Sequence, residues 1–136
     1  MKTKLKPKTF GPVFAFFDPS NEVQYAITET SERTPHAPPG SPVEMLLASL
    51  AFCMVKSVEW AAKDQGERLL PFSVKVAGTK ALDLPWRVEV MEVTLFGGLV
   101  EDATATLHIA KLAKSICTVS NTLNCEISLT LEPKDG

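Results

Sequence analysis

The chain is poor in the residues that build most cofactor and metal sites. It has two histidines and three cysteines among 136 residues, with no Cys/His cluster at metal-ligand spacing. No Gly-rich phosphate loop and no nucleophile elbow occur, so the usual signatures of nucleotide binding and serine hydrolysis are missing. Neither a metal nor an organic cofactor is expected. There is no basic tract, and the net charge is −2 with a pI near 5.7. Nothing electrostatic therefore points to nucleic acid or an anionic membrane as partner. The longest nearly apolar run, Met45 to Val55, is too short to span a bilayer. The start, MKTKLKPKTFGPVFAFF, is basic but has no small-residue cleavage site, and Gly11-Pro12 breaks its apolar stretch. A cytoplasmic location is the expectation. Three cysteines, an odd number, do not make a disulfide framework.

What is present is ordinary for a soluble protein: 45% hydrophobic and 22% charged residues. The length suits one domain, 1–136. Residues 13–18 and 23–29 read as strands joined by the turn-forming DPSNE segment, a hairpin. The loop 30–40 holds three prolines. After it, Ser41-Pro42-Val43-Glu44 reads as a capping box with proline at the first helical position. The spacing predicts a helix from about Pro42 to Asp64, ending near Gly66. Between Met45 and Val55 only Ser49 is polar, so this helix is expected to be buried on nearly all sides, in a core or against a second subunit.

Alternation predicts strands at 72–77 and 87–96, the second with a phase slip at Met91 that suggests a bulge. Residues 101–116 form a second helix with acids at its start and lysines toward its end. CTVSNTL breaks it, and a strand follows from Asn124 to Leu131. Helices and strands do not alternate regularly, which makes the class α+β.

The thiols differ in context. Cys125 has the core-facing register of a strand, where cysteine behaves as a small hydrophobe. Cys53 lies in the middle of the apolar helix, in a position that suits packing as well as reactivity. Cys117 follows a helix end, and its position alone leaves open a loop thiol or a core residue. Were the two sulfurs of Cys53 and Cys117 to meet, one could attack an O–O bond and the other resolve the resulting sulfenic acid to a disulfide. His36 and His108 stand alone and read as loop and helix-surface residues.

GSPVEMLLASLAFC, followed some sixty residues later by LAKSICTVSNTL, resembles the OsmC/Ohr family of osmotically inducible and organic hydroperoxide resistance proteins. The resemblance implies an α+β fold with antiparallel sheets around a long buried central helix, in an intertwined homodimer. It implies a peroxidatic Cys53 and a resolving Cys117, an organic hydroperoxide substrate and a dithiol reductant of the dihydrolipoyl type. Typical members carry a glutamate directly after the helix-start proline and an arginine from the N-terminal strands. Here Val43 follows Pro42. Glu44 lies roughly 180° from Cys53 at about 100° per residue, so it reads as the cap alone. This Pro-x-Glu arrangement resembles a separate subgroup. No arginine precedes Arg33; Arg33 and Lys8 are the candidate replacements, and a lysine would lack the planar fork. A peroxidase, a non-catalytic redox sensor or ligand-binding dimer, and a structural homodimer are the three readings compatible with these residues.

Overall fold

The computed structural model describes residues 8–20, 22–38 and 40–133. The lysines at 2, 4 and 6, and Asn21 of the first turn, lie outside them. Among the described residues, eight elements follow in order: β1 (Thr9–Phe17), β2 (Gln24–Ala26), α1 (Pro42–Asp64), β3 (Phe72–Lys80), β4 (Val88–Phe96), α2 (Ala103–Ile116), α3 (Thr118–Thr122) and β5 (Glu126–Glu132). The five strands form one sheet in the order β2-β1-β3-β4-β5.

Strand alternation sets the two faces of this sheet. Val13 pairs with Val76 and Ala15 with Val74; Val74 and Val76 pair with Leu95 and Val93. All six are buried, and they join α1 and α2 in the core. The intervening residues share the opposite face, where Phe16 pairs with Ser73 and Ser73 with Phe96. The expected hairpin is present, with β2 shorter than the sequence suggested.

The expectation of purely antiparallel pairing needs correction. β5 runs parallel to β4, Met91 opposite Ile127 and Val93 opposite Leu129. The physical reason is the connection: α2 and α3 carry the chain back along the sheet, so the next strand starts from the same end as β4. The sheet is therefore mixed. The slip expected at Met91 lies slightly earlier. Thr79 faces Val90 and Lys80 faces Val88, so β4 places an extra residue opposite β3 there.

α1 begins as predicted. The Ser41 hydroxyl accepts from the Glu44 N–H at 3.2 Å, and the Glu44 carboxylate accepts from the Ser41 N–H at 3.0 Å. The Ser41 N–H, with the Ser41 side chain, holds the Glu44 carboxyl below its ordinary range, and the backbone N–H of Gly11 on β1 adds to this. Gly11 has φ +80°, and a Cβ there would stand 3.0 Å from Leu47 Cδ1 and 3.1 Å from the Val76 carbonyl oxygen. Only glycine lets β1 approach the helix so closely. At the other end, Gly66 sits just past the helix at φ +68°.

α1 is long and apolar enough to cross a membrane by length and composition, which the shorter run Met45–Val55 did not suggest. In the fold it is a core helix: Leu47, Leu50, Met54, Val55 and Val58 are fully buried against the sheet and α2. It is not buried on every side of the single chain. Met45, Leu46, Phe52 and Trp60 form an exposed apolar stripe.

Candidate functional site

Cys53 lies at the edge of that stripe. Leu46, Cys53 and Trp60 are seven residues apart and so share one line along the helix. The Cys53 thiol is partly exposed, whereas Cys117 is completely buried. A thiol at the end of α2 is thus a core group, because α3 turns it back toward α1.

The fold brings these two sulfurs together as free thiols. Burial is the main influence on Cys117 and pushes its pKa up. The neighbouring Cys53 acts in the same direction. Two groups oppose this: the backbone N–H of Ser120 and the hydroxyl of Ser57. α3 has no side-chain cap bond, but Cys117 stands close enough to the Ser120 N–H for that dipole to favour the thiolate. Ser57 is buried one turn beyond Cys53, and its hydroxyl donates to the Cys53 carbonyl at 2.8 Å.

The other candidates lie elsewhere. Cys125 precedes β5, packs partly buried against the core, and has a pKa raised by that burial. His36 and His108 are exposed. The Arg33 guanidinium stacks on the Phe16 ring, 3.7 Å from its centre. Phe16 is on the sheet face away from α1, so in one chain the sheet separates Arg33 from Cys53. Lys8 instead stands over Phe10 at 5.5 Å. Glu44 is engaged as a cap, as its angular position implies.

Ser57 and Ser120 were not singled out from the sequence. Their signals are spacing alone: Ser57 is one helical turn from Cys53, and Ser120 is three residues from Cys117.

A mixed five-stranded sheet, a long apolar helix and two neighbouring thiols define a small dithiol α+β protein. The OsmC-like protein family matches residues 36–132, and the chain belongs to it. Solved structures agree on the fold. An OsmC-like protein from Mycoplasma pneumoniae superposes with a TM-score of 0.61 at 13% identity, over 99% of this chain and 100% of the other. A hypothetical protein from Aquifex aeolicus VF5 gives 0.59 at 18% identity, over 92% and 96%. A Legionella pneumophila protein described as an organic hydroperoxide resistance protein OsmC and predicted redox protein gives 0.57 at 12% identity, over 98% and 100%. A comparison with curated proteins gives no match.

Proposed function

We propose that the chain is a thiol-dependent peroxidase that reduces organic hydroperoxides, working as a cytoplasmic homodimer. The observation that carries this reading is the pairing of a partly exposed thiol with a fully buried one. Peroxide reaches Cys53 first. Its thiolate attacks the terminal peroxide oxygen, the O–O bond breaks, the alcohol leaves, and Cys53 becomes a sulfenic acid. The Cys117 sulfur then attacks Cys53, the S–O bond breaks, and the hydroxyl leaves as water with the Cys117 proton. The product is a Cys53–Cys117 disulfide, which a dithiol of the dihydrolipoyl type reduces by exchange.

Family membership supports this redox role, as does the hydroperoxide resistance ascribed to the Legionella relative. The apolar stripe of Met45, Leu46, Phe52 and Trp60 supports a second copy packed along α1. That copy would shield Cys53 from bulk water.

The position of Arg33 across the sheet favours a second reading, a redox sensor that forms the disulfide but turns over poorly. Cumene hydroperoxide consumption with dihydrolipoamide separates the two. A peroxidase turns over many equivalents and loses all turnover in Cys53→Ser. A single stoichiometric oxidation to the Cys53–Cys117 disulfide would leave only the sensor, and three thiols that stay reduced would sink both.

A further inference from the structure

We infer that the tip of the β3–β4 hairpin docks this protein on an anionic lipid surface: Leu82, Leu84 and Trp86 enter the headgroup layer, and Lys8, Lys80 and Arg87 face the phosphates. The surface lies apart from the cysteine pair, so the inference does not depend on the redox reading.

The loop between β3 and β4 is closed at its base, where the Ala81 N–H donates to the Arg87 carbonyl at 2.9 Å. Beyond that bond every second residue is large and apolar: Leu82, Leu84 and Trp86. They are 69%, 76% and 78% exposed, more than any other large apolar side chain among the described residues. A single exposed leucine is ordinary, but three such side chains on one short loop form a patch.

The tip is braced so that these side chains stay outside. The Arg87 guanidinium donates to the Pro85 carbonyl at 2.8 Å and pairs with Asp83 at 3.1 Å. Lys80 stands over the Trp86 ring, 4.2 Å from its centre. These contacts hold the loop in one shape, so docking carries little ordering cost.

Charge decides the occupant. The Lys80 N–H donates to the Lys8 carbonyl at 2.8 Å, which anchors Lys8 at the base of the hairpin. Three further lysines, Lys2, Lys4 and Lys6, precede Lys8 in the sequence. The net charge of −2 hides this local concentration; it arises because β1 pairs with β3, Thr9 opposite Thr79, and joins residues far apart in the chain. Basic residues beside an apolar tip match the negative potential of an anionic leaflet. Tryptophan favours headgroup depth, and a lysine stem can lie along apolar surface while its ammonium reaches a phosphate. Of the acids nearby, Asp83 is paired by Arg87, and Glu89 is exposed on β4. Asp83, between the two leucines, keeps the loop at the interface, because a carboxylate in hydrocarbon is strongly unfavourable.

A second copy is the competing occupant, and area argues against it. The three side chains together expose on the order of 400 Å², about half of the ~800 Å² per partner found in stable protein interfaces. A lipid surface sets no such threshold, since a few inserted apolar side chains add to the charge attraction.

Flotation tests this with the intact protein and two kinds of vesicle, phosphatidylcholine alone and an equal mixture of phosphatidylcholine and phosphatidylglycerol. Wild type should float with the mixed vesicles and far less with the neutral ones. Trp86→Ala should weaken binding to the mixed vesicles by about tenfold or more through lost apolar area. Lys80→Gln should weaken it by about fivefold, and ~1 M salt should weaken it for wild type. Leu84→Ser gives a second apolar lesion that leaves the Lys80–Trp86 contact in place, and it too should weaken binding. Tryptophan emission should shift to the blue with mixed vesicles, and Trp86→Ala should abolish the shift although Trp60 remains.

A wild type that floats with neither kind of vesicle overturns the inference. Flotation that neither Trp86→Ala nor Leu84→Ser weakens also overturns it, because the contact then lies elsewhere on the molecule. Self-association without lipid that Trp86→Ala abolishes, with no flotation, overturns it in favour of a second copy. None of these outcomes bears on peroxide consumption, so failure here is distinct from failure of the peroxidase reading.

Discussion

Trp60→Ala is the substitution that best separates the fold of one chain from its assembly. A tryptophan side chain offers at most about 250 Å². Trp60 is 54% exposed, so on the order of 130 Å² of it meets water in a single chain. Covering that area is worth about 3 kcal/mol per copy at ~25 cal/mol per Å². Alanine recovers only a small part of this, and a twofold pair loses the contact twice, roughly 5 kcal/mol in all. At about 1.4 kcal/mol per decade, the dissociation constant of the proposed homodimer should rise about a thousandfold or more. The chain's own stability should change far less, by about 1 kcal/mol, because more than half of the ring is already outside the core. Sedimentation velocity across a wide range of protein concentration measures the first quantity, and urea unfolding of the dissociated protein measures the second. A Trp60→Ala protein that self-associates as tightly as wild type would refute the reasoning. So would a wild type that stays monomeric at every concentration.

Other perturbations test the scaffold and the thiols. Gly11→Ala should lower stability by about 2 kcal/mol or more in chemical denaturation, because the positive φ is unfavourable with a Cβ and the Val76 carbonyl cannot move aside. Ser41→Ala should cost about 1 kcal/mol as a lost N-cap. Folding lowers the Glu44 pKa, so its contribution is present above the ordinary value of 4.5 and is lost as pH falls through the folded value. The difference between wild type and Glu44→Gln in urea titrations should therefore shrink in acid. Folding raises the Cys117 pKa, so its contribution is full below the ordinary value of 9.0 and is lost as pH rises through the folded value. The stability difference between wild type and Cys117→Ala should narrow in base; a constant difference would contradict the burial argument. Alkylation with iodoacetamide should reach Cys53 well before Cys117, since Cys53 is partly exposed and Cys117 is buried, and peptide mapping would show the opposite order if the burial were wrong.

The legible parts of the fold were those governed by local chemistry. The capping box, the span of α1 and the alternation of β3 and β4 are written in residues a few positions apart, and they appear as read. The direction of β5 was not legible, because its alternating pattern is the same whether it pairs parallel or antiparallel. Cys117 was ambiguous for a similar reason. Its burial depends on α3 folding back onto α1, and five residues of TVSNT carry no periodicity that announces this. Arg33 shows the same limit: its number in the chain places it near the start of α1, but the face of the sheet it occupies depends on the alternation of β1. Glu44 was the opposite case, since helical angle alone separated it from Cys53.

The parallel pairing of β5 also has a consequence for when the thiols can meet. Cys53 lies in a helix whose capping box forms from adjacent residues, and its packing partners β1 and β3 flank it in the chain. Cys117 lies in a crossover that is held down at its far end by β5, the last element in the order. The two thiols meet only once both long connections have closed, β1 to β3 around α1 and β4 to β5 around α2 and α3. A chain in which β5 has not yet paired presents Cys53 without its partner.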